Sequence, residues 1–482
     1  MKEIKDDAAQ EIDFAEEYAA FSSTLTARNL PENVIRMVET DIYDTLACAV
    51  AGISAPGVNL LIDAVADWGG KSEATVWCNG LRVPAHHAAW VNGMMSHARD
   101  FDDSHDTATL HAGVSVVPAA LAAAELANAT GADVIAGVAA GLELASRLGL
   151  ATKASVIESG YLYTSLFGHF AATAAAARVV GFDKDQTINA LGIAYSQAAG
   201  THQVTRDRAL TKRMQPGFAA KTALISIRLT EAGVSGARRT FEGTDGLFRT
   251  YLHGSYDPHR LRVDLGKSFD LLGLSFKMYP CCRWTHAAID AGLELRRAVS
   301  PDGIRHITVF TNRVLYEVVG TPIRTCQAPE TTVQAQFSIP YTVACALMKG
   351  SVTLNDFTEP GIQNSAIRAL ASKIDVVVDK DLERGWPRTM SPIRMVADTD
   401  QGSFEIRVDA PRGSVERPMT SEEFGSKLEN CLEISGLHWP PDTIEKFSTA
   451  ISGLERAPDI SDLVGLAGRR RVQTQGEVLL TA

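Results

Sequence analysis

Helical segments built largely of alanine and glycine recur between residues 34 and 232, and they constrain this fold more than any other feature. Val34 to Ala51 carries apolar side chains at helical spacing (Ile35, Val38, Ile42, Leu46, Val50) and stops at Gly52. Pro84 to His97, Pro118 to Asn128, Ala132 to Leu148, Gly168 to Val180, Lys184 to Ala199 and Gly217 to Ala232 have the same texture. Pro84 suits a first helical turn, where the missing backbone N–H has no partner to lose. Side chains as small as those of Ala171 to Ala177 bring helices together at close range. Segments of this kind are inner helices, so a large all-α body is expected.

From about residue 273 the pattern changes. Ile304 to Thr311, Ile374 to Val378, Ile393 to Ala397 and Ser403 to Val408 read as strands, with helices at Trp284 to Ala298 and Tyr341 to Lys349. Beyond residue 410 the chain is helical again, at Ser421 to Ile434, Pro441 to Gly453 and Ile460 to Leu466. The expected architecture is mostly α. Residues 1–272 and 410–482 form a helical domain, and residues 273–409 form a smaller α/β lid domain inserted before the C-terminal helices. A length of 482 residues agrees with two cores rather than one. The ends, before Ile12 and after Arg469, are expected to fray.

Composition narrows the function classes. No uninterrupted apolar run reaches the roughly 18–20 residues that cross a bilayer. The opening Met1-Lys2-Glu3-Ile4-Lys5-Asp6-Asp7 has no apolar signal region, so a cytoplasmic protein without membrane contact is expected. A net charge of −11 with no basic block argues against a nucleic-acid partner. An anionic substrate would need a local cationic pocket. The seven cysteines are scattered without CxxC or zinc spacing, so neither disulfides nor structural zinc are expected. Adjacent Cys281 and Cys282 read first as small buried hydrophobes.

The segment Met95-Ser96-His97-Ala98-Arg99-Asp100-Phe101-Asp102-Asp103-Ser104-His105-Asp106, closed by His111-Ala112-Gly113, crowds four carboxylates and three imidazoles between helices. Crowded carboxylates oppose one another's ionisation. The cluster is therefore a solvated loop or a site where a cation, a substrate or perturbed protonation makes the crowding useful. Asp102 to Asp106 is formally a DDxxD, which could hold magnesium for diphosphate chemistry. An aromatic content of 7% leaves little to line a carbocation cavity, and no second metal motif accompanies it. GxGxxG after a strand, GxxxxGK[ST] and GxSxG are absent.

Three further segments share one chemistry. Thr211-Lys212-Arg213-Met214-Gln215-Pro216-Gly217 sets two cations before a helix expected to start at Pro216, a ready anion site. Ser275 to His286 carries Lys277 and Arg283 at the junction of body and insert. Gln336-Phe337-Ser338-Ile339-Pro340-Tyr341 places a tyrosine at a helix start. Singly, each lysine reads as a surface charge. With the Asp/His cluster they describe a pocket that binds carboxylates and moves protons.

HARDFDDSHDTATLHAG, followed by Pro118 to Glu125, resembles the signature of the MmgE/PrpD family. The resemblance continues through Phe167 to Phe170, Thr211 to Arg213, Gly243 to Phe248, Lys277 to His286 and Phe337 to Tyr341, over roughly residues 12–455. That family contains 2-methylcitrate dehydratase, cis-aconitate decarboxylase and iminodisuccinate epimerase. The resemblance implies a helical domain, an α/β lid, a homodimer, and no metal or organic cofactor. Carried over by position, it implies that Asp100, Ser104, His111, Lys212, Lys277 and Tyr341 are active-site groups. Two positions depart from it: Gly160-Tyr161-Leu162-Tyr163 lacks the family's second histidine, and Gln215 replaces another.

Residue chemistry and resemblance meet at proton transfer next to a carboxylate. Lys212 and Lys277 would meet the developing negative charge, helped by Arg213 and Arg283. His111 would act as general acid/base, oriented or tuned by Asp100. Ser104 and Tyr341 would bond substrate oxygens, and Tyr163 would stand in for the missing histidine. The expected activity is a cofactor-independent lyase, dehydratase or decarboxylase, acting on a small di- or tricarboxylic acid. An epimerase of an iminodisuccinate-like dicarboxylate is the alternative, and a magnesium-dependent DDxxD enzyme a distant one.

Overall fold

A computed structural model describes residues 13–207, 209–386 and 390–468. The two ends expected to fray lie outside the described residues. The body is assembled from helices α1 (Glu32–Gly52), α2 (Ala85–His97), α3 (Gly113–Ala127), α4 (Gly131–Ala151), α5 (Gly168–Val179) and α6 (Thr211–Glu231). Thr130 starts α4 with a reciprocal cap, its hydroxyl accepting from Asp133 N while Asp133 answers to Thr130 N. By length and composition α4 is apolar enough to cross a membrane, although its sequence holds no unbroken apolar run of that length. Here it is buried within the body, which explains its apolar composition, and the Glu143 and Arg147 it carries are buried as an ion pair.

Small residues set the helix spacing where the site is built. A Cβ on Gly93 of α2 would come within 2.8 Å of Gly217 Cα on α6, so the two backbones cross in near contact. That crossing brings the start of α6 to the C-terminal end of α2. Both α3 and α6 begin a full turn before the prolines expected to open them, with Pro118 and Pro216 inside. Each proline deletes one ladder bond. On α3 the extra turn is buried, with Val114 and Val117 fully covered, whereas on α6 only Gln215 of the residues before Pro216 is buried. Lys212 and Arg213 therefore project from the first turn of α6 rather than preceding the helix.

Strands β1 (Ile304–Thr311), β2 (Ile374–Val378), β3 (Ile393–Thr399) and β4 (Gly402–Val408) form one sheet in the order β2-β1-β3-β4. The β1–β2 pair is parallel and the other two are antiparallel. Along β3 buried and partly exposed residues alternate, as expected of a sheet covered on one face. Helices His286–Ala298 and Ile339–Lys349 contribute to this second hydrophobic cluster, which draws on residues 279–408. Helix α7 (Ser421–Ser435) and those after it send Leu428, Cys431 and Phe447 into the first cluster, with α1–α6. All seven cysteines are buried and free.

Candidate active site

Fifteen residues join the last residue of α2 to the first of α3 (His97 and Gly113), and backbone pairing fixes their path. Ser104 and His105 pair antiparallel with Ser275 and Leu274, tying the acidic loop to the strand-like segment that leads into Lys277. Lys277 then reaches Asp100: its Nζ donates to the Asp100 carboxylate at 2.5 Å and to its carbonyl at 3.0 Å. Asp100 sits in the left-handed region at φ 55°, uncommon for residues other than glycine, although Asp and Asn are among those that tolerate it. Two bonds from one buried ammonium hold it there.

The electrostatics follow from that contact. Lys277 is fully buried. Burial works against its charge, but Asp100 and Asp102 prevail and hold its proton above the ordinary range. Burial likewise opposes ionisation of Asp100, and Lys212 and Lys277 overcome it, so the carboxyl stays well below the usual range. Lys212 Nζ stands 3.7 Å from Asp100 Oδ2, beyond hydrogen-bond reach, and 5.5 Å above the Phe337 ring. Asp100 Oδ2 has no hydrogen-bond partner among the described residues.

His111 Nδ1 lies 2.5 Å from the Asp103 carbonyl. A carbonyl only accepts, so Nδ1 carries the proton and Nε2 presents a bare lone pair. Burial pushes the imidazole down to about 4 against the pull of Asp102. His97 Nδ1 lies 2.8 Å from Asp102 Oδ2, and its ring centroid is 5.3 Å from that of His111. Asp103 Oδ2 accepts from Ala112 N and Gly113 N at 2.9 and 3.2 Å, fixing the start of α3. Burial first, then the Asp102 charge, pushes Asp103 up to about 7. Thr164 Oγ1 takes the His111 backbone N–H at 3.0 Å.

These groups open on a cavity of about 130 Å³ lined by Asp100, Ser104, His111, Tyr163, Lys212, Lys277 and Arg283 among others. The family model described as the MmgE/PrpD N-terminal domain matches residues 16–259, and the C-terminal domain model matches residues 279–437. This chain belongs to the MmgE/PrpD family. Its similarity extends to whole proteins. It is 26% identical to the cis-aconitate decarboxylase-like protein oryM of Aspergillus oryzae, covering 95% of this chain and 98% of that protein. It is 25% identical to the cis-aconitate decarboxylases of Aspergillus terreus (93% and 95% covered) and Homo sapiens (94% of each). The chain is a lyase of the MmgE/PrpD type.

Not every residue expected at an MmgE/PrpD site is found there. Tyr341 is fully buried in the second cluster, and its hydroxyl donates to the Asp356 carbonyl at 2.6 Å, away from the cavity lining. The same segment instead contributes the Phe337 ring, while Gln336 is buried beside the cavity without lining it, its Nε2 donating to the Arg99 and Pro280 carbonyls at 2.8 and 3.0 Å. Arg213 turns to the Pro56 carbonyl at 3.2 Å and does not line the cavity. Tyr163 lines it, but its hydroxyl donates to Ala154 O at 2.7 Å, which takes the proton out of play as an acid. Arg283 lines it with its guanidinium clasped by Asp106. The DDxxD aspartates diverge: Asp102 to His97, Asp103 to backbone amides, Asp106 to Arg283. No set of three metal-ligating side chains converges among the described residues.

Other contributors carried no local signal. His202 lines the cavity from a segment paired beside Tyr161, and Leu162, Trp284 and Val318 add apolar walls. Lys427, on α7, is buried behind the site. Its Nζ donates to Asp44 Oδ1 at 2.5 Å and to the carbonyls of Phe101 and Lys277 at 2.6 and 3.0 Å. One ammonium thus clamps the backbone next to Asp100 and the backbone of Lys277. Burial pushes the Cys282 thiol, also in the lining, up to about 12, so it is a poor nucleophile.

Proposed function

We propose that this MmgE/PrpD lyase is a cofactor-independent enzyme that cleaves a small di- or tricarboxylic acid by proton transfer alpha to a carboxylate. The observation that carries the reading is the pairing, in one cavity, of a bare His111 Nε2 with the Lys212 ammonium, which faces Asp100 at 3.7 Å but makes no hydrogen bond among the described residues. The ammonium receives the substrate carboxylate and meets the charge that develops on it as the neighbouring carbon becomes carbanionic. Departure of CO₂ leaves its electron pair on that carbon, and a proton drawn from solvent and relayed through His111 Nε2, neutral above about pH 4 at rest, takes the vacated position. Lys277 and Asp100 hold the loop and set the local field, and Ser104 faces the substrate. Loss of CO₂ is the favoured outcome, because the similar whole-length proteins carry decarboxylase names.

Leu162 in the lining, where the resemblance expects an imidazole, favours an epimerase as second reading, with one proton removed and returned. A cytoplasmic homodimer acting without metal belongs to the same proposal. Incubation in D₂O with a panel of di- and tricarboxylates tests it. CO₂ release reports decarboxylation, new ultraviolet absorbance reports a double bond, and deuterium uptake without net loss reports epimerisation. Activity abolished by EDTA and restored by magnesium would return the DDxxD reading.

A further inference from the structure

The cavity has cations to spare for only one carboxylate. Three lysine or arginine side chains line it, and two are already committed: Lys277 to both oxygen types of Asp100, and Arg283 to Asp106 and the Arg412 carbonyl. Only Lys212 has an ammonium without a hydrogen bond among the described residues. Asp100 and Asp106 line the same space as carboxylates, and both are held below the ordinary range, chiefly against burial, by these cations. A trianion would bring two carboxylates beyond the one at Lys212 against aspartates with no free cation to meet them, where a dianion brings only one, which the uncharged polar side of the cavity must receive. The rest of the wall carries no further cation: Val156, Ile157, Leu162, Trp284, Val318 and Phe337 give an apolar side, and Thr109, Thr164, Ser165, Thr205 and Gln215 give uncharged polar groups.

Resting on the carboxylate-lyase reading above, we infer that the preferred substrate gives one carboxylate to Lys212 and an alkyl or similar apolar substituent to the Leu162–Trp284–Val318 wall. His111 and His202, both pushed down chiefly by burial, are neutral partners for the rest of the molecule and add no further positive charge. An unsubstituted tricarboxylate is then a poor fit: it leaves the apolar wall in contact with water and charge.

The test is a matched series of 2-alkylbutenedioates (hydrogen, methyl, ethyl, propyl) with cis-aconitate alongside, read by calorimetric affinity and by kcat/KM on the whole protein. Affinity should rise about fourfold per added methylene while the wall is being covered, and the propyl acid should exceed cis-aconitate. Leu162→Asn should cut the propyl-over-methyl preference at least tenfold without loss of folding, read by thermal melting. A flat or falling response to chain length, a preference for cis-aconitate, or an unchanged preference in Leu162→Asn would overturn the inference while leaving the carboxylate reading standing. Absence of both binding and turnover across the whole series would overturn both.

Discussion

Replacing Lys427 by methionine should damage the protein in two separable ways. The side chain keeps its length but loses a charge that is 2% exposed and pairs with an Asp44 carboxylate that is 0% exposed. Breaking a buried pair by removing one partner costs about 3–5 kcal/mol, because the other charge is left in a medium that cannot solvate it. The carbonyls of Phe101 and Lys277 also lose a donor, at about 1–3 kcal/mol for each acceptor that finds no replacement. Chemical denaturation should therefore show Lys427→Met destabilised by at least about 3 kcal/mol. The double variant with Asp44→Asn, which leaves no lone buried charge, should recover at least about 2 kcal/mol of that, since contacting residues couple by about 0.5–3 kcal/mol.

Catalysis should not recover with stability. In the double variant the two carbonyls are still unclamped, so the Asp100–Lys277 pair loses its support from α7. Misplacement by about 1 Å costs on the order of a hundredfold. A fall in kcat of at least tenfold is therefore expected from folded double variant at saturating substrate, with KM much less affected because Lys212 is untouched. A single variant as stable as wild type would refute the electrostatic reasoning. A stable double variant with full kcat would show that Lys427 supports the fold alone.

His111→Asn should remove turnover, by on the order of 10²–10⁴ in kcat, while the melting temperature stays close to wild type; activity within tenfold of wild type would remove His111 from the mechanism. Tyr341→Phe should leave kcat unchanged and cost about 1 kcal/mol of stability, because its hydroxyl bonds Asp356 O rather than substrate; a large loss of kcat with intact stability would bring Tyr341 back to the site. Burial pushes His169 down to about 4. Between that value and about 6.5 the unfolded chain binds a proton that the native state refuses, so this group's contribution to stability is present above the window and lost as pH falls through it. His169→Asn should flatten the stability–pH slope there relative to wild type, measured by urea denaturation at pH 4.5 and 7; an unchanged slope would contradict the burial effect. Asp103, pushed up to about 7, acts with opposite sign in both proteins and cancels in the comparison.

The helical body was legible because alanine and glycine repeat at helical spacing, and the sheet because β1 and β3 alternate; both are local patterns. Pro118 and Pro216 look like first-turn residues, yet α3 and α6 each begin five residues earlier, and on α3 it is tertiary burial that covers the added turn. For the site, residue type was legible and orientation was not. Asp100, His111, Lys212 and Lys277 stand in segments dense with charge beside helix ends, and they do line one cavity. Tyr341 stands in an equally suggestive segment, yet its phenol points into the second core while Phe337 faces the site. Nothing within a few residues of Tyr341 tells the two outcomes apart.

Lys427 shows why such residues stay hidden. It is separated from Phe101 by 326 residues and from Asp44 by 383, on a helix whose own sequence looks like any amphipathic surface helix. What it recognises is backbone carbonyls, which every residue carries, so no residue type near the site announces the contact. The result is a site held in two layers. An inner ammonium, Lys277, holds Asp100 in a left-handed turn, and an outer ammonium, Lys427, holds the backbone on which the inner contact depends. Both lysines have their hydrogen bonds filled within the protein, whereas Lys212 meets Asp100 only as an ion pair at 3.7 Å, the difference on which the proposed substrate contact rests.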